Sequence, residues 1–471
     1  MEGFEMSIKE HIDRWMDEHE REYLEDVKRL VAIRSVKGEA GPGMPYGEGP
    51  AAALAEAAKM CRGYGFEVSE FDGHAIAADM NPLTPGVDML AHLDVVGEGD
   101  GWDTEPYTPT VKGDLLYGRG TSDDKGPAVA ALYAMRCIQE LGIPLKKNAR
   151  LILGTDEESG SEDMEYYYSV QKPAPCTFSP DACFPICNTE KGRYAPRFVK
   201  SWEAETVSPR IKSIDGGFRI NVIPADASAV VCGISAAEVE KTCSDVCGRL
   251  NVSYRITEND GDVSVKVTGV GAHASMPEVG NNGITALIAL LCALPLADCE
   301  SARTIKRLGE LFPHGDGLGK GMGVAMADEL SGELTLTLDL LSFTETGADG
   351  QFDSRVPICA TEENCRTVIV RKLEDCGFTV SGTMSRPHHT PADSPFVKCL
   401  LDAYESFTGE KGECFAMGGG TYVHDVEGGV AFGAAFPGFE HNEHGANEKM
   451  SISSMIKAAK IYALSIYEIC K

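Results

Sequence analysis

His92 and Asp94 lie in VDMLAHLDVV, where a strand-like apolar run gives way to polar residues. Further along come Asp123 in GRGTSDDKGP, the acidic run Asp156, Glu157 and Glu158 in LILGTDEESGS, Asp181 in SPDACFP, and His441 and His444 in EHNEHGANE. Together these side chains offer enough nitrogen and oxygen donors to hold two divalent cations that share one carboxylate. Such a centre activates water, so the pattern reads as a metal-dependent hydrolase.

Each motif also has a plainer reading. His92 is a metal ligand with Asp94 orienting its surroundings, or a hydrogen-bonded histidine near a turn. In GRGTSDDKGP, Gly118 and Gly120 mark a tight turn and Pro127 suits the first turn of a helix. Asp123 can then bridge two cations with its two oxygens, whereas Asp124 is expected to cap the helix. Three acids at a strand end repel one another unless a cation or a retained proton intervenes. With metals, Glu157 and Glu158 can divide the work, one ligating and the other taking a proton from water; without them the run is a solvated loop. Asp181 reads as a turn residue when taken alone, and no spacing rule chooses between His441 and His444.

The elements that must carry these residues follow from periodicity. Apolar residues at Ile8, Ile12, Trp15, Leu24, Val27, Leu30 and Val31 predict an amphipathic helix, and a second begins after GEGP. Strands are expected around 66–71, 75–80, 87–92 and 149–155, with a helix over about 127–141. This alternation predicts an α/β/α catalytic domain around a central mixed sheet. From 195 to about 380 the chain reads as strands (FRINVIP, ASAVVCGI, DVSVKVTG, GELTLTLDLL) with helices near 236–250, 283–296 and 361–376. The expected organisation is a catalytic domain over 1–189 and 383–471, interrupted by an inserted α+β lid of two lobes over 190–382. After it come a helix over 394–407, the glycine-rich GGGTY, a buried strand in VAFGAAF and a final helix over 451–470.

At 471 residues the chain exceeds a single ordinary core. A formal net charge of −29 disfavours nucleic acid and anionic membranes as partners. The acidic N-terminus lacks the basic-then-apolar pattern of a signal peptide, and no apolar run spans a bilayer, so a cytoplasmic location is expected. The 16 cysteines are scattered without CxxC pairs and read as reduced thiols. GDGLGKGMG near 315–323 does not match the spacing of a phosphate loop.

Taken in order, HLDVV, GRGTSDDKGP, DEESGS, PDA and HGANE resemble the metal-binding motifs of the di-zinc peptidase superfamily of aminoacylases, carboxypeptidase G-type enzymes and carnosinases. The resemblance is strongest to its PepV-like bacterial dipeptidase branch (Xaa-His dipeptidase, carnosinase-like), and it spans nearly the whole chain. It implies that His92 and Asp181 bind one zinc, Glu158 and His444 the other, and Asp123 bridges them. Manganese or cobalt are implied as substitutes for the two zinc ions. It further implies Glu157 as general base, Asp94 as the support of His92, and a cis peptide joining Asp123 to Asp124.

In the middle segment, GGFRINVIP, VTGVGAHASMP and FDSRVP resemble the lid motifs of that branch. Asn221 and Arg355 would grip a dipeptide's free carboxylate, and His273 would stabilise the oxyanion. Gly419 and Thr421 of GGGTY would present backbone N–H groups to the substrate, or form a glycine turn with no ligand. His388 and His389 would line the pocket or simply shape a loop. The expected activity is hydrolysis of unblocked dipeptides, including β-alanyl or Xaa-His ones, by a monomer. Competing readings are an N-acyl amino acid or succinyl-amine deacylase on the same scaffold, and a non-catalytic metal-binding homologue.

Overall fold

The computed structural model describes residues 6–471 and divides into two compact units. The first comprises the chain up to Thr189 together with His389–Phe415 and Gly420–Lys471, and the second comprises Glu190–His388 with Ala416–Gly419. The first is α/β and is interrupted in sequence by the second, which is α+β. Residues 383–388 therefore fall in the second unit rather than in the segment over 383–471 expected from the sequence, and so do residues 416–419. Met417 accepts the Lys191 amide at 3.0 Å and Gly418 accepts Arg355 Nη1 at 2.6 Å, which ties this stretch to the second unit.

In the first unit the sheet runs Glu67–Phe71, Ala75–Asp79, Asn148–Gly154, Pro85–His92, Cys176–Ser179, Val430–Ala431, Ile186–Glu190. It is mixed: Asn148–Gly154 pairs in parallel with Pro85–His92, which pairs in parallel with Cys176–Ser179. The outer strands Glu67–Phe71 and Ala75–Asp79 are antiparallel. Parallel strands covered on both faces read as continuous apolar runs, which is why LILG and VDMLA show no alternation.

Helix Ile8–Val31 opens with a capping box in which the Ser7 amide and hydroxyl donate to Glu10 and the Glu10 amide donates to Ser7 Oγ. Its apolar stripe buries Ile12, Trp15, Val27, Leu30 and Val31. Helix Lys125–Glu140 is buried nearly throughout, so its sequence AVAALYAM has no polar face. It packs against both Ile8–Val31 and Ile452–Cys470. VAFGAAF is not one strand but two short ones, Val430–Ala431 and Ala434–Ala435, separated at Gly433. Gly433 has φ +72° and lies against the Phe184 ring, a conformation and a space that admit only glycine.

The second unit has its own core, including Phe198, Val265, Leu287, Leu291, Phe352 and Ile369. Its nine-stranded sheet contains two halves. One is Ser253–Asn259, Asp262–Thr268, Asp226–Cys232 and Arg210–Gly216, and the other begins Thr335–Thr344, Gly347–Val356, Arg197–Ser201. A ladder from Ile214↔Phe343 to Gly216↔Leu341 joins them. FRINVIP does not form the strand its apolar content predicts, because Asn221 adopts φ +71° and only Val222–Ile223 pairs, with Ala272–His273. Helix Glu300–Leu311 was not anticipated from the sequence. Among the described residues no helix is long and apolar enough to cross a membrane. All sixteen cysteines are free thiols, with Cys183 and Cys359 exposed.

Candidate metal centre and active site

Three neighbouring parallel strands end at the same edge of the first unit's sheet, where open α/β sheets collect functional residues. His92 closes Pro85–His92 and sits in register with Gly154. Glu157 and Glu158 follow Asn148–Gly154 in a short 3₁₀ turn, and Asp181 follows Cys176–Ser179. Asp123 comes from the turn before helix Lys125–Glu140, and His444 from the loop before Lys449–Ser451.

Two groups of potential ligand atoms result, each lying within 4.8 Å of one another: His92, Asp123 and Asp181, and Asp123, Glu158 and His444. Asp123 belongs to both. Its Oδ1 is 2.8 Å from His92 Nε2 and its Oδ2 is 2.9 Å from His444 Nε2. His92 Nε2 is also 3.7 Å from Asp181 Oδ2, and His444 Nε2 is 3.1 Å from Glu158 Oε1. Yet His92 Nε2 and Glu158 Oε1 are buried atoms with no hydrogen-bond partner. Donor atoms that crowd together without hydrogen-bond alignment fit a shared cation, and the imidazole and carboxylate set suits zinc, manganese or cobalt. Glu157 belongs to neither group. The peptide between Asp123 and Asp124 is cis.

The electrostatics agree with such a site. Burial opposes charge on His92, but the carboxylates of Asp123, Asp94 and Asp181 outweigh it and raise the imidazole well above its ordinary value. Asp123 and Glu158 likewise raise His444, to about 10. Burial, reinforced by the charges of Glu158, Asp123 and Asp94, pushes Glu157 well above the usual carboxylate range. Burial and the Asp123 charge also raise Asp181.

Asp94 buttresses two parts of the site at once. His92 Nδ1 is 3.0 Å from the Asp94 carbonyl oxygen, which favours the proton on Nδ1 and leaves the Nε2 lone pair for a metal. The Asp94 carboxylate accepts the amides of Glu157 at 3.2 Å and Glu158 at 3.1 Å, setting the turn that presents both glutamates. Asp156 is withdrawn from the acidic run by Lys37, whose Nζ is 2.6 Å from its carboxylate.

Several supporting residues escaped sequence reasoning. Asp124 stands at the N-cap position, but its side chain makes no cap hydrogen bond, contrary to expectation; fully buried, it accepts the His92 amide at 3.0 Å. Glu448 accepts the amides of Gly120, Ser122 and Asp123 at 3.0, 2.9 and 3.2 Å, and Arg119 Nη1 at 2.6 Å. It thereby locks the Asp123 turn to the HGANE loop. Asp163 accepts the amides of Thr155 and Asp156 at 2.6 and 2.9 Å, and the Tyr422 hydroxyl. Gly154 is required beneath it, since a Cβ there would lie 2.3 Å from Asp163 Oδ2 and from the Tyr422 hydroxyl. His441 stays outside both ligand groups and pairs its Nδ1 with Ser122 Oγ at 2.7 Å. The one sequence signal for these buttresses was the NE that follows HGA.

In the second unit, His273 is exposed, and its Nδ1 is 2.6 Å from Ser275 Oγ. The Asn221 amide donates to Asp339 at 2.8 Å, while its buried Oδ1 has no hydrogen-bond partner. Arg355 is held by Asp353, with Nε to Oδ1 at 2.7 Å. Gly419 belongs to the second unit and Thr421 to the first, where Thr421 Oγ1 accepts the Val423 amide at 3.4 Å. His389 Nδ1 is 2.8 Å from Thr189 Oγ1, and His388 is half-buried. In the GDGLGKGMG turn the Asp316 carboxylate accepts the amides of Leu318 and Gly321, filling the donors a phosphate would need.

Residues 89–468 match the model of Peptidase family M20/M25/M40. The chain belongs to this family. It is 33% identical over 95% of its length, and 97% of the relative's, to "Putative dipeptidase YtjP" of Bacillus subtilis. A "Putative dipeptidase SSP1012" of Staphylococcus saprophyticus is 30% identical over 97% of this chain and 99% of its own. Among solved structures, human carnosine dipeptidase 1 shares the fold with a TM-score of 0.62 at 18% identity, covering 98% of this chain and 99% of that one. Dug1p, a dipeptidase of Saccharomyces cerevisiae, gives 0.60 at 13% identity, covering 98% of each chain. This M20 peptidase is thus an enzyme of a hydrolytic family, with candidate ligands for metal at the carboxyl edge of its sheet.

Proposed function

We propose that the chain is a dinuclear metal dipeptidase that hydrolyses unblocked dipeptides, β-alanyl and Xaa-His ones among them. The observation that carries this reading is a glutamate, Glu157, outside two ligand groups that share Asp123. The naming of its relatives as dipeptidases supports the substrate class. His92 and Asp181 would hold one divalent cation, Glu158 and His444 the second, and Asp123 both. Two such cations, zinc by resemblance, supply Lewis acidity and lower the pKa of water.

Around that chemistry the chain's own groups do the proton work. Glu157, outside both ligand groups, accepts a proton from the attacking water and returns it to the leaving amine. Asp94 keeps the Glu157 turn and the His92 ring in orientation. His273 donates to the developing oxyanion, where a preorganised donor acts most strongly. Arg355 and Asn221 take the free carboxylate, for which a guanidinium fork is suited. Gly419 and Thr421 contribute main-chain donors to the substrate. The protein acts as a cytoplasmic monomer.

The test is metal content together with hydrolysis of free, β-linked and N-acylated dipeptides by wild type and Glu157→Ala. Wild type should cleave the free dipeptides, and the variant should keep its metal and lose at least about 10²-fold in kcat. A strong preference for acylated substrates would make the enzyme a deacylase, and unchanged turnover in Glu157→Ala would remove the assigned base. An obligate dimer in light scattering would overturn the monomer.

A further inference from the structure

Arg193 and Arg355 stand directly opposite each other in the antiparallel pair formed by Gly192–Tyr194 and Gly347–Val356. Opposed residues share a face with Cβ atoms about 4.5–5.5 Å apart, and like charges so placed repel. Asp353, two residues before Arg355 and so on the same face, resolves the conflict. Its Oδ1 accepts Arg355 Nε at 2.7 Å and its Oδ2 accepts Arg193 Nε at 2.8 Å, and the carboxylate is fully buried. One buried carboxylate thus holds two guanidiniums.

The two arginines differ in what they have left to offer. Arg355 is buried and gives one N–H of Nη1 to the Gly418 carbonyl and one of Nη2 to Asp353, which leaves it one N–H on each. The Arg193 side chain is 42% exposed, and neither Nη1 nor Nη2 is bonded to a described residue. Because its Nε is fixed on Asp353, its outer Nη edge is oriented from behind and open in front. A planar fork so presented is matched to a carboxylate.

We infer that Arg193 is a specificity residue that takes a second, side-chain carboxylate on the substrate, so that the enzyme favours dipeptides ending in Asp or Glu. The inference rests on the dipeptidase reading, in which Arg355 takes the main-chain carboxylate. The two carboxylates of a C-terminal acidic residue are separated by only a few bonds, a span that fits neighbouring guanidiniums on one sheet face.

The experiment compares kcat/KM for Ala-Glu and Ala-Gln, which have nearly the same shape and differ in charge, in wild type, Arg193→Gln and Arg193→Lys. Wild type should prefer Ala-Glu by about tenfold or more, the weight of a charge-assisted hydrogen-bond pair. In Arg193→Gln the ratio should collapse towards one, chiefly through KM for Ala-Glu, and Arg193→Lys should keep part of it by retaining charge without the fork. A merely structural arginine would lower both substrates alike and leave the ratio intact, which would overturn the inference, as would a wild type with no preference. If wild type cleaves other free dipeptides but neither of these, this inference falls alone; if it cleaves no free or β-linked dipeptide while retaining metal, the dipeptidase reading falls and takes this inference with it.

Discussion

Removing the Asp94 carboxylate tests how far the metal centre depends on groups that never touch metal. In wild type, Asp94 accepts two backbone amides, those of Glu157 and Glu158, and it is only 1% exposed. Asp94→Ala leaves both amides without a partner in a buried site, at about 1–3 kcal/mol each, so the apo protein should lose about 2–5 kcal/mol. The turn bearing Glu157 and Glu158 loses its support, and outer-shell losses of this kind cost about 10–100-fold in metal affinity. Asp94→Asn can accept only one amide with its oxygen while its NH₂ confronts the other, so it should fall between wild type and alanine. His92 Nδ1 still reaches the Asp94 carbonyl in both variants. Competition for zinc against a chelating dye measures affinity, and urea unfolding of the metal-free forms measures stability separately. An Asp94→Ala protein that is less stable but binds metal and turns over as wild type does would refute the argument, since the buttress would not reach the ligands.

His444→Ala should lose one metal, read as metal content after dialysis, whereas His441→Ala should keep both and cost about 1 kcal/mol through Ser122. Glu448→Gln strips the counter-charge from buried Arg119 and should cost about 3–5 kcal/mol in urea unfolding. Burial, reinforced by Asp353, pushes Asp339 up from its usual range to about 8 against hydrogen bonds from Thr337 and Asn221. Between about pH 4 and pH 8 the folded state then holds a proton that the unfolded state has released, so this group's contribution to stability falls as pH rises through that window. Asp339→Asn should lose less stability than wild type on going from pH 5 to pH 8, by an amount on the order of a few kcal/mol in urea titrations; parallel slopes would contradict the assignment.

Family and fold class were legible in the chain alone, because five motifs in fixed order and strands alternating with helices are local patterns. Residue types for metal binding were legible in the same way. Helix Ala236–Leu250 matched its periodicity because a capping box and an apolar stripe agree there. The buttresses were not legible: in a chain of 72 acidic residues, a buried Asp124, Asp163 or Glu448 reads like a solvated one until packing brings backbone amides to it. No spacing could separate His441 from His444. The resemblance of HGANE to the family motif favoured His444, and in the tertiary structure the His441 ring meets Ser122 while the His444 ring meets Asp123 and Glu158. FRINVIP failed as a strand for a related reason. The Asp339 carboxylate, distant in sequence, takes the Asn221 amide and the backbone turns there with φ +71°. Sequence alone determined which chemistry the side chains can perform and which elements their local preferences form. Tertiary structure decided which side chains meet, because desolvation and hydrogen-bond pairing are set by neighbours far along the chain.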